Sequence, residues 1–161
     1  MSPTLVALAL CVAGAALEGL AAGGGIRARF AELRLPRLSP PLAVWIVIGA
    51  GYYAMCFVIL YRLLASPVGS DTARGLAVGL LCVLMLVNAG WGLLFFRLKN
   101  VRWSFFAFPP YVALAVALEA TLLGTDRVAA VVLAPYLFYL IYATWWGYRL
   151  WRLNEPPDQA A

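Results

Sequence analysis

The sequence predicts an all-α integral membrane protein, a five-transmembrane-helix bundle, on three observations. Of its 161 residues 65% are hydrophobic and only 12% are charged, with a mean hydropathy of +0.89. A water-soluble domain of this size needs far more polar surface than that. Five apolar stretches each approach the roughly 20 residues that cross a hydrocarbon core. They leave almost nothing over, so residues 1–161 read as one membrane domain with no soluble module.

The first span covers residues 4–22. Met1-Ser2-Pro3-Thr4 carries no basic flank, so this stretch reads as a retained helix and not as a cleaved signal peptide. Residues 23–41 are the longest connection. Gly23-Gly24-Gly25 ends the first helix, and Pro36, Pro40 and Pro41 block an early start of the second. A loop of that length in a compact bundle is expected to cover a binding site or to serve as a solvated basic connector.

The second span, residues 42–61, places Trp45, Tyr52 and Tyr53 at i, i+7 and i+8, toward one interior. The third, residues 75–96, opens with Gly75 and Gly79 at GxxxG spacing, which lets two helix backbones approach closely. Its end carries Asn88, Trp91 and Phe95 on one face. An amide among apolar residues needs a partner, so Asn88 reads as interhelical glue or as a ligand contact. The fourth span, residues 103–123, contains Pro109-Pro110, which lack N–H groups and are expected to kink it. The fifth, residues 128–148, aligns Tyr139, Tyr142, Trp146 and Arg149 in an aromatic stripe ending in a cation. Trp145, Trp146, Tyr148 and Trp151 also fit an interfacial belt, which leaves the deeper Tyr136 and Tyr139 as the better ligand candidates. Residues 155–161 form a polar tail.

Charge and chemistry narrow the function. Arg27, Arg29, Arg34, Arg37, Arg97, Lys99, Arg102, Arg149 and Arg152 fall on one side of the membrane, and Arg62, Arg74 and Arg127 on the other. The positive-inside rule then puts the N-terminus outside and the C-terminus in the cytoplasm, with a bacterial cell membrane as the expected host. The net charge of +5 is explained by topology, so no nucleic-acid partner is expected. Cys11, Cys56 and Cys82 stand singly in apolar segments and the chain has no histidine, so neither disulfide nor metal site is suggested. Two carboxylates lie within spans, Glu18 and Glu119, toward opposite ends. They are not expected to pair, and no proton relay is assigned to them.

In order along the chain, Phe30-Ala31-x-Leu33-x-x-Pro36 with Pro40-Pro41, Tyr53, Asn88-x-x-Trp91 with Leu94-Phe95-Phe96, Pro135-Tyr136-Leu137, and Arg152-Leu153-Asn154 resemble the TspO/MBR family of translocator proteins, also called tryptophan-rich sensory proteins or peripheral benzodiazepine receptors. The resemblance implies a five-helix bundle, usually a homodimer with the third helix at its seam, here carrying Gly75 and Gly79. It also implies a pocket beneath the first loop for porphyrins, sterols or isoquinolines, lined here by Tyr53, Asn88, Trp91, Tyr136 and Tyr139. The chain departs from the family pattern at several places. Arg37, Leu38 and Ala43 stand where the loop usually has tryptophans, Gly49 and Tyr139 replace usual tryptophans, and Gly147 replaces a usual asparagine.

The leading expectation is a membrane receptor or carrier for a planar hydrophobic ligand, a porphyrin or other tetrapyrrole. The ligand would lie between helices two, three and five, with no cofactor required and membrane lipid and a second copy as further partners. Two alternatives belong to other classes. One is an enzyme that degrades porphyrin with light and oxygen, and the other is a sterol-binding protein or accessory subunit of another membrane protein. Without histidine or a nucleophile–base pair, hydrolytic and metal chemistry is not expected.

Overall fold

A computed structural model describes residues 2–65 and 70–155. The expected tail, Glu155 apart, lies outside the described residues, as does Met1. Seven α-helices follow in order: α1 Pro3–Ala22, α2 Ile26–Glu32, α3 Leu42–Ala65, α4 Asp71–Gly92, α5 Val101–Phe106, α6 Phe108–Thr125 and α7 Arg127–Asn154. Among the described residues there is no strand. Five helical stretches, Pro3–Ala22, Leu42–Ala65, Asp71–Arg97, Val101–Thr125 and Arg127–Asn154, are long and apolar enough to cross a membrane.

The boundaries follow local chemistry. Gly23, at φ 69°, ends α1 by returning its N–H to the Gly19 carbonyl, a conformation that side chains with a Cβ resist. The Ser70 hydroxyl caps α4 by accepting from the Ala73 N–H, the Asn100 side chain caps α5 by accepting from Trp103, and Asp126 caps α7 by accepting from Val128 and Ala129. Past Gly92 the chain widens into a π-helical turn, Leu93–Arg97. That turn closes at Lys99, φ 52°, where the Asn100 N–H reaches back to the Leu94 carbonyl at 3.0 Å.

Two expectations are corrected. The connection at 23–41 is not all loop: residues 26–32 coil into α2. The prolines of the fourth span do not kink a continuous helix. Pro109 and Pro110 sit in the first turn of α6, where a missing N–H leaves no intrahelical bond unmade, and the break falls one step earlier, at Ala107.

The spans close into a ring in which α1 packs on α3, α3 on α7, α7 on α6, α6 on α4 and α4 on α1. The main core fills the ring with Cys56, Ile59, Leu60, Leu81, Leu84, Leu118, Leu122 and Leu133. The outer faces stay apolar, with Leu20, Val47, Val131, Phe138 and Ile141 among the most exposed, as lipid contact requires. A second cluster, Phe95, Trp146 and Leu150 with Phe30, Leu33, Trp45 and Trp91 around it, lies under α2.

Candidate ligand-binding site

The segment over the ring is tied down along its length. Arg29 is buried, whereas Ile26 and Phe30 of α2 are half-buried and its other residues are exposed. Its Nε donates to the Phe95 carbonyl at 3.2 Å, inside the π-helical turn, and its Nη2 to the Lys99 carbonyl at 2.8 Å, just past it. A cation there also faces the negative end of the α4 dipole. Glu32 pairs with Lys99 Nζ at 2.8 Å, and the bond from Lys99 holds the Glu32 carboxyl below its ordinary range. Farther on, the Arg34 N–H donates to Asn154 Oδ1 while Asn154 Nδ2 donates to the Arg34 carbonyl. The Tyr142 hydroxyl donates to the Leu38 carbonyl, and Trp146 Nε1 donates to the Ser39 hydroxyl.

Beneath this cover lies a cavity of about 380 Å³ walled by α1, α3, α4 and α7 and roofed by Ile26 and Phe30 of α2. A smaller cavity of about 80 Å³ adjoins it toward α5 and α6. Trp45, Asn88, Trp91, Tyr136, Tyr139 and Trp146 border both, so they form the partition between the two. The partition is held by ring contacts and a hydrogen bond. Trp91 stacks on Phe95 at 4.9 Å and 9°, and its Nε1 donates to the Ser104 carbonyl at 3.1 Å. Trp45 lies 4.9 Å from Trp146, and Tyr136 stacks on Tyr139 at 5.6 Å.

The five residues expected to line a pocket all reach this region. Tyr53 faces the larger cavity, and Asn88, Trp91, Tyr136 and Tyr139 face both. The Tyr136 hydroxyl is hydrogen-bonded to that of Tyr111. Gly75 and Gly79 lie elsewhere, on the exposed side of α4. No described atom stands within 4 Å of where a Cβ would be at either glycine. Trp146 departs from the belt reading: it is buried at 4% exposure and borders the cavities, whereas Trp145 and Tyr148 face outward.

Asn88 does have the partner that its position demands, and it is Glu18. Asn88 Nδ2 donates to Glu18 Oε2 at 2.9 Å, and the Tyr53 hydroxyl donates to the same oxygen at 2.7 Å. Sequence reasoning missed Glu18 as a site residue because its place in α1 points to no particular neighbour. Trp45 was legible only as an inward-facing indole. Its Nε1 is buried without a hydrogen-bond partner among the described residues. Gly49 opens the wall where a bulkier residue would fill it, since nothing lies within 4 Å of its would-be Cβ. Among the described residues no group of acids and cysteines is arranged to hold a metal ion.

The sequence model of the TspO/MBR family matches residues 7–152. No curated protein matches the chain.

Proposed function

From the chain's membership of the TspO/MBR family, which it belongs to over nearly its whole length, we propose that it is a membrane receptor or carrier whose larger cavity takes up a planar hydrophobic ligand, a porphyrin or other tetrapyrrole. The family supports a membrane ligand-binding or transport role in general. The finer reading is supported by one observation: Trp45, Tyr53, Trp91, Tyr139 and Trp146 wall a single cavity of about 380 Å³ that holds few polar groups. A mostly apolar chamber with a small number of convergent polar atoms suits a small organic ligand, and aromatic faces favour a flat one. On the nine-to-three distribution of Lys and Arg, the α2 end of the bundle is assigned to the cytoplasm. The exposed Gly75–Gly79 stripe is assigned to contact with a second copy.

The test is a titration of detergent-purified protein with protoporphyrin IX, read by intrinsic tryptophan fluorescence. Three of the six tryptophans border the cavity. Saturable quenching that weakens in Trp91→Phe or Tyr139→Phe is the expected result. Quenching that rises linearly, or that ignores both substitutions, would overturn the proposal. Illumination of the same samples in air separates binding from degradation by the appearance of a protein-dependent product.

A further inference from the structure

Among the described residues that border either cavity, Glu18 is the one carboxylic acid, and none is a lysine or arginine. Its Oε2 is fully engaged by two donors, Tyr53 and Asn88. Both partners are donors, and the Glu18 oxygen accepts from each. The other oxygen, Oε1, receives no hydrogen bond from the described residues, and none of their cations forms an ion pair with it. Arg29, the buried cation of the roof, is committed to the Phe95 and Lys99 carbonyls and to Glu32. A carboxylate left without a counter-charge in an apolar wall is costly, unless what enters supplies the missing donor. A second unmet group stands on the same wall, since Trp45 Nε1 is buried with no acceptor. The wall therefore holds an acceptor, Glu18 Oε1, and a buried donor, Trp45 Nε1, that no described residue meets.

Resting on the reading of this cavity as a site for planar ligands, we propose that Glu18 sets its charge preference: it selects flat ligands that are neutral or cationic and present an N–H or a cationic nitrogen, and disfavours flat dianions. Aromatic walls reinforce this preference, because ring faces attract cations and not anions. A dicarboxylate porphyrin still enters, with its carboxylates held at the mouth, but binds more weakly than the same ring without them. Tyr53 and Asn88 act as positioning residues that aim the carboxylate.

The experiment compares three forms of one ring, protoporphyrin IX, its dimethyl ester and its bis(aminoethyl)amide, by fluorescence titration of the wild-type protein and of Glu18→Gln. Glutamine keeps an acceptor for Tyr53 while removing the charge. Partitioning of each porphyrin into detergent is common to both proteins, so the ratio between proteins isolates the carboxylate. The diamide is expected to lose roughly tenfold in affinity on Glu18→Gln, while the dicarboxylate gains severalfold. Glu18→Asp, which retains the charge, should preserve the wild-type ranking and so controls for a fold defect. If all three rings saturate and their affinity ratios are the same in wild type and Glu18→Gln, the charge preference is overturned while the binding proposal stands. If no ring saturates with either protein, the binding proposal itself fails, and this inference with it.

Discussion

Arg29 lies with its guanidinium carbon 5.7 Å from the centre of the Phe95 ring while its Nε donates to the carbonyl of the same residue, so one side chain fastens α2 to the end of the third span. The contact is available because Phe95 lies in the last turn of the span, where carbonyls have no following intrahelical N–H to meet. Arg29→Met keeps the length of the side chain and removes the charged donors. It is expected to cost about 2–3 kcal/mol, the range for hydrogen bonds to a charged group. Hydrogen exchange in Ile26–Glu32 should rise with it, and unchanged exchange there would show that Arg29 does not hold the roof.

Tyr53 and Asn88 share one acceptor oxygen, so their effects should not add. Tyr53→Phe and Asn88→Ala are each expected to destabilise by about 1–2 kcal/mol, with a coupling of about 0.5–2 kcal/mol between them. A double-mutant cycle by chemical unfolding in detergent measures this. Strict additivity would argue that Glu18 is not held by both at once.

Gly14 in α1 faces side chains of α3 and α4. A Cβ there would stand 2.5 Å from Met85 Cε and 3.3 Å from Tyr53 Cε1. The methionine tip can move aside, and alanine is the better helix former by about 1 kcal/mol, so Gly14→Ala should be nearly neutral. Gly14→Leu has no such room. It is expected to destabilise by about 1–3 kcal/mol and, by pushing Tyr53, to weaken porphyrin quenching as well. Equal thermal stability of the two variants would contradict the close packing.

At the opposite end, Arg62 and Asp126 form a two-pronged ion pair at 2.9 and 3.0 Å that joins α3 to the start of α7. Burial alone would raise the Asp126 carboxyl, but the Arg62 guanidinium and the N–H groups of Ala129 and Val128 outweigh it and hold the group below its ordinary 3.8. A depressed carboxyl adds stability that is complete above the unfolded value and is lost as the pH falls through the folded one. Thermal stability should therefore drop on acidification below about pH 4. Asp126→Asn should flatten that part of the profile while keeping the helix cap. A variant with the same acid limb as wild type would remove Asp126 from the account.

Asn154 closes the far end of the cover by both donating to and accepting from the main chain of Arg34, 120 residues away in sequence. Asn154→Ala removes both bonds at a partly exposed position, for an expected loss of about 1 kcal/mol. Faster exchange at the Arg34 N–H is the direct readout, and protection equal to wild type would show the loop is held by Tyr142 and Trp146 instead.

The spans were legible in the sequence because lipid imposes a crude requirement. A run of about 20 apolar residues has few other uses, so five such runs announced a five-span protein before any contact was known. The inward face of the third span was legible for the same reason. Asn88, Trp91 and Phe95 fall together by helical periodicity, which needs no partner helix to define it. The breaks were less legible. Pro109 and Pro110 read as a kink, and only the capping of α5 and the turn at Ala107 showed that they instead start α6. The short α2 has no amphipathic signal long enough to read, and its seat on the bundle depends on Arg29 meeting the Phe95 and Lys99 carbonyls.

What the sequence determined by itself is therefore what one helix can specify alone: where it crosses, where it ends, and which side chains share its face. What tertiary structure decided is which faces meet. Glu18 in α1 is 35 residues from Tyr53 and 70 from Asn88, and no periodicity links them. Only the ring order, with α1 between α3 and α4, puts the carboxylate against both donors. A hydrogen bond needs its atoms within about 3 Å, and that precision comes from packing between helices and not from the pattern along any one of them.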